Sequence, residues 1–330
     1  MNNLKNKICL IIPFSGENKN IQDLLSHLLN MSVFPNEIII INTNSFHLNF
    51  DQTISDEFSK KNIVIKIINK LELYPGAARN IGIESTDCEL IAFLDIQTIP
   101  SKDWLKNGLK MLNQDKDSQI IYGTTFYLAS NYKEKIIRAS TFGEKKIVTL
   151  PGTILKKKVF LKCGKFLEHI RAGEDADWIL RVKLNQIRSS INNEFLQYKG
   201  LIGLSYISLL KKWYRNYSHV SNLPYMNSHL RYYYVGFIIL VMMISYNWNS
   251  IMAGWKEDSV VYLPHITKIS FSIISLIYII VRGLFFPLKK KVSILFLFPI
   301  NFILVSIISI FIDMTKFLAF FKKNKSVKNN

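Results

Sequence analysis

The sequence predicts an α/β domain with a mostly parallel β-sheet, followed by apolar helices that reach a membrane. Up to about residue 112, short strands that are apolar on both faces alternate with amphipathic helices. This alternation is typical of a parallel sheet covered by helices on each side. Beyond residue 230, apolar stretches approach the length needed to cross a bilayer. The 330 residues leave room for one sizeable domain and an appendage.

The first half of the chain supplies four strand segments and three helical ones. Residues 8–12 form a continuous apolar run that Pro13 ends, and the run is too short for the apolar core of a signal peptide. Apolar residues at positions 21, 24, 25, 28 and 29 then recur with the period of one helix face. The other predicted elements are strands at 37–42, 63–68 and 90–95, a helix from Gly76 and a helix at 104–112.

The pattern is less regular between residues 120 and 199. Residues 120–126 are typical of a strand, and Leu-Pro-Gly-Thr at 150–153 predicts a turn. Gly173 precedes a helix that begins with Glu174 and Asp175. Residues 207–223 then predict an amphipathic helix, rich in Lys, Trp and Tyr, of the kind that lies in a membrane interface.

Three apolar stretches follow, at 232–248, 269–288 and 292–312. The lysines at 289–291 are expected in the cytoplasm, which agrees with a cytoplasmic domain, an outward first span and an inward second span. A third span would place the basic tail at 316–328 outside, against the same tendency. Two alternatives therefore stay open: three spans, or two spans and a re-entrant or interfacial segment around Pro299.

Charge and cysteine usage narrow the class of protein. The formal net charge is +18, but Lys and Arg become dense only beside the apolar segments. That placement favours an anionic membrane surface as partner and disfavours nucleic acid. The three cysteines are widely spaced and form no Cys-x-x-Cys pair, so neither a disulfide framework nor a zinc site is indicated and we expect a reducing compartment.

Six short motifs occur in a defined order over residues 7 to 200. They are Ile-Ile-Pro-Phe at 11–14, Pro-Asn-Glu-Ile-Ile-Ile at 35–40, Gly-Ala-Ala-Arg-Asn at 76–80, Phe-Leu-Asp at 93–95, Pro-Ser-Lys-Asp-Trp-Leu at 100–105 and Gly-Glu-Asp at 173–175. In this order and spacing they resemble the family 2 glycosyltransferases, whose nucleotide-sugar domain has the Rossmann-like GT-A fold. The resemblance implies a GT-A catalytic domain at 1–200, and the pattern after it predicts an interfacial juxtamembrane segment at 201–230 and a membrane domain of two to three helices at 231–330.

The strand that ends at Asp95 delivers a carboxylate to the edge of the sheet where nucleotides bind in open α/β folds. The resemblance implies an Asp-x-Asp sequence here, which holds a divalent metal on the donor diphosphate. This chain has Asp95-Ile96-Gln97, so the second carboxylate is missing. Gln97 still offers an uncharged oxygen to Mg²⁺ or Mn²⁺. Asp95 and Gln97 are thus predicted to contact the donor and to hold a weakened metal; a strand-end cap is the alternative for Asp95.

A second departure from the family pattern follows the second strand. Relatives carry an Asp in this loop that accepts a hydrogen bond from the base, whereas this chain has Asn42 and Asn44. Both amides retain an acceptor oxygen, so they are predicted to bind the donor, with a plain polar turn as the alternative. The two departures remove negative charge from one pocket, which indicates an altered donor, a weaker metal or lost activity.

The remaining donor contacts are predicted around the first strand and the Gly-Ala-Ala-Arg-Asn turn. Gly76 lets a ligand approach the backbone, and Arg79 supplies a fixed cation for phosphate. The alternative is a plain helix N-terminus with an outward Arg79. The predicted donor-binding residues in these segments are Pro13, Phe14, Gly76, Arg79 and Asn80.

Glu174 and Asp175 are the predicted catalytic pair. The resemblance implies that Asp175 acts as general base on the acceptor hydroxyl, and adjacent carboxylates repel, which raises a pKa and improves a base. The alternative is an acidic first turn that stabilises the helix dipole. Arg215 and His219 are predicted to contact the diphosphate, and anchoring to a membrane surface explains the same residues equally well.

Together these features predict a glycosyltransferase of the cell membrane, with several spans and a cytoplasmic active site, and the resemblance implies that it transfers with inversion. Its expected partners are a nucleotide-sugar donor and a lipid-linked or other glycan acceptor of the kind used to build cell-surface polysaccharide. One rival is a catalytically weakened binding subunit of a polysaccharide assembly complex. A second rival is a transporter component, which is disfavoured because the apolar stretches lack a run of ionisable residues. The enzyme prediction requires Arg79, Asp95 and Asp175 to converge on one cleft.

Overall fold

A computed structural model describes residues 7–46, 48, 51–115, 117–220, 223 and 228–321, with the backbone alone at 228–239 and 320–321. One mixed sheet organises the part before residue 200, in the order β3-β2-β1-β4-β7-β6-β9-β5, with β8 also paired to β6. Its strands are β1 Ile8–Phe14, β2 Glu37–Asn42, β3 Val64–Asn69, β4 Leu90–Phe93, β5 Thr98–Pro100, β6 Ile120–Tyr127, β7 Ile147–Lys156, β8 Ser189–Ile191 and β9 Leu196–Tyr198.

Helices cover both faces of this sheet, and more helices follow it. Before residue 221 the helices are α1 Asn18–Leu29, α2 Gln52–Lys60, α3 Pro75–Glu84, α4 Trp104–Gln114, α5 Tyr132–Ser140, α6 Lys157–Cys163, α7 Glu174–Leu184 and α8 Tyr206–Val220. After it come α9 Ser228–Ala253, α10 Ile266–Ile279, a π-helical turn at Ile280–Phe285, α11 Phe286–Lys289, α12 Ile294–Leu297 and α13 Asn301–Phe321.

The core lies on both faces of β1, because successive strand residues point to opposite sides. Leu10 and Ile12 pack in the cluster formed with α1 and α4. Cys9 and Ile11 pack in the cluster on the other face, with α3 and α7. The predicted parallel sheet buried on both faces is therefore confirmed at its centre.

Strand direction determines which polar residues meet at one edge. β1 runs parallel to β2 and to β4, and β2 runs parallel to β3. The carboxyl ends of β1, β2 and β4 consequently lie side by side, with Asn42 ending β2 and Asp95 two residues beyond β4. β7 is antiparallel to both β4 and β6, so the sheet is mixed in its second half.

Two local predictions were wrong. Residues 63–68 were expected to be buried, but β3 is an edge strand with Val64 54% exposed. The turn expected at 150–153 lies inside β7. A Cβ on Gly123 would lie 2.6 Å from the Gly152 Cα, and Gly152 has a φ of 86°. The Pro-Gly sequence therefore produces an irregularity within a strand pair, where backbones come close, and the chain does not reverse there.

The C-terminal part differs from the prediction in its third apolar stretch. Residues 232–248 lie within α9, partly among residues whose side chains are outside the described set, and residues 269–288 lie within α10 to α11. Residues 292–312 are not one helix, because α12 ends before Pro299 and α13 begins at Asn301. Two described helices, Ile266–Lys289 and Asn301–Ala319, are long and apolar enough to be candidate membrane spans.

Candidate active site

Arg79 joins the ends of three distant elements at the carboxyl edge of the sheet. It lies on α3, is 3% exposed, and donates from Nη2 to the Asp95 carboxylate at 3.0 Å. Its Nη1 donates to the Glu174 carboxylate at 2.8 Å. Pro75 at the first helical position pre-forms the turn that aims this side chain inward. An outward Arg79, the plain alternative, is excluded by this burial.

The charges at this edge are coupled. Burial acts to lower the pKa of Arg79, but Asp95, Glu174 and Asp175 outweigh it and the pKa is raised, so the guanidinium is a permanent cation. Burial raises the pKa of Glu174 to about 7, with Asp175 adding to the shift and Arg79 opposing it. Arg79, Asp95 and Asp175 thus share one electrostatic environment, as a common cleft requires.

The two members of the predicted catalytic pair differ in access. Glu174 is 5% exposed and is bonded to Arg79, so it positions the cation and cannot meet an acceptor. Asp175 is half-buried in the first turn of α7 and accepts a hydrogen bond from the Ala176 N–H at 2.8 Å. Asp175 is therefore the one of the pair that is available for proton transfer.

Two tyrosines at the same edge were not foreseen. Tyr127 ends β6, Tyr198 ends β9, and their rings meet edge-to-face at 5.1 Å between centroids. Burial raises the pKa of both phenols; Asp175 and Asp95 add to the shift of Tyr127, and Asp95 to that of Tyr198. Their strands are far apart in sequence, so only the sheet order brings the two tyrosines beside the carboxylates.

Helix α8 covers the start of α7. A Cβ on Gly173, which has a φ of 95°, would lie 2.8 Å from Leu223 and 3.0 Å from Val220. One turn apart on α8 lie Arg215 and His219, and the His219 ring meets Tyr74 edge-to-face at 6.0 Å.

Arg215 has a cationic neighbour, Arg171, that no sequence motif indicated. Burial and, after it, the charge of Arg171 lower the pKa of the Arg215 guanidinium. Arg171 stands two residues before Gly173, outside every motif recognised in the sequence. Two neighbouring guanidiniums repel each other, and an anion bound beside them would relieve this repulsion.

Gly76 and Asn80 contact the backbone of the segment at residues 166–167. A Cβ on Gly76 would lie 2.2 Å from the Leu167 carbonyl oxygen, so the backbone that approaches this glycine is that of Leu167. The Asn80 amide donates to the Phe166 carbonyl at 3.0 Å and accepts from the Phe166 N–H at 2.9 Å. Both residues hold the segment that supports Arg79, and their predicted donor contacts gain no support from the geometry.

Asn42 and Asn44 form a network that closes on itself. The Asn42 amide donates to the Phe46 carbonyl and to Asn69, at 2.9 and 2.8 Å, and its oxygen accepts twice from Asn44 at 3.1 Å. The Asn44 amide in turn bonds to both backbone groups of Gly16. Asn42 is 1% exposed. The alternative, a polar turn, describes this loop better than the predicted hydrogen bond to the base of the donor.

The donor prediction for Phe14 is wrong for its side chain. Phe14 is fully buried in the core cluster with α1, so its ring has no surface for a donor. Its carbonyl accepts from the Thr43 N–H and hydroxyl at 2.9 and 3.0 Å. Pro13 is part of β1 and half-buried. These two residues shape the end of the strand.

The predicted metal ligands Asp95 and Gln97 have different neighbours. Gln97 is exposed and lines a cleft of about 210 Å³ with residues such as His27 and Lys199, whereas Asp95 is paired with Arg79. Within the described ranges, no three His, Cys, Asp or Glu side chains are grouped to hold a metal ion. One half-exposed carboxylate does not fit a tightly bound divalent cation, which takes several oxygen ligands.

Comparison with known proteins agrees with this architecture. The profile described as Glycosyl transferase family 2 matches residues 9–167. An uncharacterized glycosyltransferase of Methanocaldococcus jannaschii is 23% identical over 252 residues, 71% of this chain and 86% of that protein. One of Rickettsia bellii is 29% identical over 201 residues, 57% of this chain but only 28% of that protein.

Among solved structures, the mannosyltransferase PcManGT of Pyrobaculum calidifontis, in complex with GDP-Man and Mn²⁺, superposes with a TM-score of 0.54 at 9% identity. The match covers 97% of this chain and 88% of that one. At this identity the likeness shows the fold alone, a GT-A-like α/β fold.

Proposed function

The domain at residues 9–167 belongs to the glycosyl transferase family 2, and from that premise we propose the reaction that this chain performs. It transfers a sugar from a nucleotide-sugar donor, with inversion, to a membrane-associated acceptor. The acceptor is a lipid-linked glycan, and the reaction takes place at the cytoplasmic face of the cell membrane.

One observation carries the proposal: Arg79 is held between Asp95 and Glu174, with Asp175 next along the helix. A buried cation with two carboxylates, and a third carboxylate in its field, is an expensive arrangement to maintain for stability alone. The cluster also lies where open α/β sheets bind nucleotides.

The proposed chemistry is a single displacement with Asp175 as the base. Asp175 removes the proton from the acceptor hydroxyl, whose oxygen then attacks the anomeric carbon from the side opposite the nucleoside diphosphate. The bond from the anomeric carbon to the diphosphate oxygen breaks, so a single displacement inverts the configuration. Arg215, Arg171 and His219 stand at the start of α7 to neutralise the leaving diphosphate. No step is derived through a metal ion.

The membrane-associated acceptor is supported by the C-terminal helices. Ile266–Lys289 has a mean hydropathy of 2.1, and only 6% of its apolar window is buried within the protein. A span attached to the catalytic domain keeps the active site beside an acceptor that cannot leave the bilayer. The lysines at 289–291 favour the cytoplasmic side for this end of the helix.

A second candidate function is a weakened, donor-binding subunit of a polysaccharide assembly complex. The closed Asn42 network and the position of Gln97 favour it, since both remove a donor or metal contact that family members have. Intact Arg79 and an accessible Asp175 oppose it.

The decisive experiment has two stages on the full-length, detergent-solubilised chain. Nucleotide sugars are first screened by thermal shift, because a true donor stabilises the folded state by mass action. Each donor that shifts Tm is then tested for release of nucleoside diphosphate with and without Mn²⁺. Release identifies an enzyme, a shift without release identifies a binding subunit, and no shift with any donor contradicts both proposals.

A further inference from the structure

The two candidate spans are equally apolar but are packed differently. Ile266–Lys289 and Asn301–Ala319 have mean hydropathies of 2.1 and 2.0. The share of the apolar window buried within the protein is 6% for the first and 28% for the second. Composition therefore does not distinguish them, while their surroundings do.

Helix α13 contacts α5 of the catalytic domain and then α8 along most of its length. The contacts, in order along the helix, are the Tyr132 hydroxyl to Asn301 at 2.5 Å, the Ser140 hydroxyl to the Val305 carbonyl at 3.4 Å, Ile312 in a cluster with Leu209, and Lys316 at 4.6 Å from the Trp213 ring centre. Fifteen residues separate the first contact from the last, roughly 22 Å at 1.5 Å per residue. A helix leaving the domain to cross a bilayer would touch it at one end only.

The helices beneath α13 belong to water or to the headgroup region. α5 carries Lys133, Glu134 and Lys135, and α8 carries Lys211 and Lys212. Charges at this density do not enter hydrocarbon. Because α13 lies flat against α5 and α8, it cannot cross the hydrocarbon core unless these two charged helices enter the core as well.

The opposite face of α13 is an exposed apolar stripe. Its members recur at intervals of three or four residues, as one face of a helix requires. They are Ile303, Ile307, Ile310, Phe311, Met314 and Leu318, each 39 to 59% exposed. An apolar stripe of this length is unusual on a surface that faces water and marks an interaction site.

Helix α13 is tied to the neighbouring span at its side. Arg282 forms an ion pair with Asp313 at 2.8 Å, and a Cβ on Gly283 would lie 2.4 Å from the Phe302 carbonyl. The exposed Lys289 and Lys291 end that span on the side of the catalytic domain, where the Lys290 carbonyl accepts from the Glu144 N–H at 2.9 Å. The apolar stripe is therefore continuous with the other candidate span and flanked by cations.

We propose that α13 is an in-plane interfacial helix, bound to α5 and α8 on one face and to the acyl chains of an anionic bilayer on the other. Phe321, the last described residue, then lies on the same side as the catalytic domain. The conflict between a third span and the basic tail disappears. The proposal does not depend on which sugar or acceptor the enzyme uses.

Spin-label depth measurements test this on the full-length chain in phosphatidylethanolamine–phosphatidylglycerol vesicles. Single cysteines replace Ile303, Phe311 or Leu318 on the stripe, and Ile269, Leu276 or Phe285 on the spanning helix serve as the matched control set. The native Cys9, Cys88 and Cys163 are buried, and label uptake by the unsubstituted chain measures their background. Accessibility to oxygen and to a soluble nickel chelate gives the depth of each label.

We expect equal, shallow depths at 303, 311 and 318, and depths that change steadily from 269 to 285. A label at 311 deeper than those at 303 and 318 would overturn the proposal in favour of a span. High nickel access at all three would overturn it in favour of an aqueous surface. Low access to both reagents with spin–spin broadening would mean that a second copy covers the stripe.

A second readout needs no substitution within α13. A reporter fused after the C-terminus, compared with one fused before the N-terminus, gives the sidedness of both ends in whole cells. The same side is expected, and opposite sides would contradict the in-plane helix.

Discussion

Two polar clusters lie at the same edge of the sheet, and they differ in what they leave for a ligand. In the Arg79 cluster, the Asp95 side chain is 35% exposed and the Arg79 Nε–H has no acceptor among the described residues. In the Asn42 cluster, both amide hydrogens and the amide oxygen of Asn42 are bonded within the protein. A residue in a motif therefore indicates ligand binding only when its hydrogen-bond donors and acceptors are not all bonded within the protein.

The largest effect is expected from Asp175→Asn. The amide cannot take the acceptor proton, so turnover should fall by about 10³-fold, within the range of general-base catalysis. The thermal shift produced by the donor should persist, because Arg79 and Asp95 are untouched. Turnover is measured by nucleoside diphosphate release in the presence of acceptor.

Asp177→Asn is the matched control, since Asp177 lies in the same turn and its carboxylate bonds to Arg181 at 2.9 Å. Its folded fraction should retain near-normal turnover. Normal turnover in Asp175→Asn would show that another group is the base.

Arg79→Met tests whether the charged cluster is a unit. The change leaves the buried Glu174 and the half-exposed Asp95 without their counter-ion, which should cost about 3–5 kcal/mol of unfolding free energy. Chemical unfolding of the solubilised chain measures it. Arg188→Met, which removes ion pairs of a 61% exposed side chain, should cost at most about 1 kcal/mol. Equal losses in the two variants would contradict a buried cluster.

Glu174→Gln should change how stability depends on pH. The folded-state pKa of Glu174 is raised from 4.5 to about 7, so its contribution is complete below pH 4.5 and is lost as pH rises through 7. The wild-type unfolding free energy should therefore decline between these pH values by up to about 3 kcal/mol relative to the variant. Unfolding curves from pH 4.5 to 8 measure the difference. Glu84→Gln, at an exposed site, should leave the wild-type pH profile in place.

The smallest effect is expected from Asn42→Asp, which restores the residue type that the family resemblance implies. A carboxylate cannot donate to the Phe46 carbonyl or to Asn69, so unfolding free energy should fall by about 2 kcal/mol with no gain in donor affinity. Asn185→Asp, which loses one exposed bond to the Arg181 carbonyl, is the control and should be nearly neutral. Tighter donor binding by Asn42→Asp would instead support the prediction that this loop binds the base of the donor.

Local sequence was sufficient to predict the centre of the fold and the position of the candidate site at the edge of the sheet. Continuous apolar runs at β1, β2 and β4 predict buried strands whatever surrounds them, because both of their faces must leave water. A polar residue directly after such a strand must lie at the sheet edge, and that placed Asp95 correctly. The acidic turn at Glu174 follows in the same way from a glycine and a helix start.

Tertiary structure determined the features that depend on contacts between segments distant in sequence. The exposure of β3, the strand at Pro151-Gly152 and the meeting of Tyr127 with Tyr198 follow from sheet order, which no single segment encodes. The bond from Asn42 to Asn69 and the buried position of Glu174 depend on neighbours tens of residues away. Two helices of equal hydropathy are distinguished only by their packing, because hydropathy records the composition of a helix and is blind to the charged surface on which it lies.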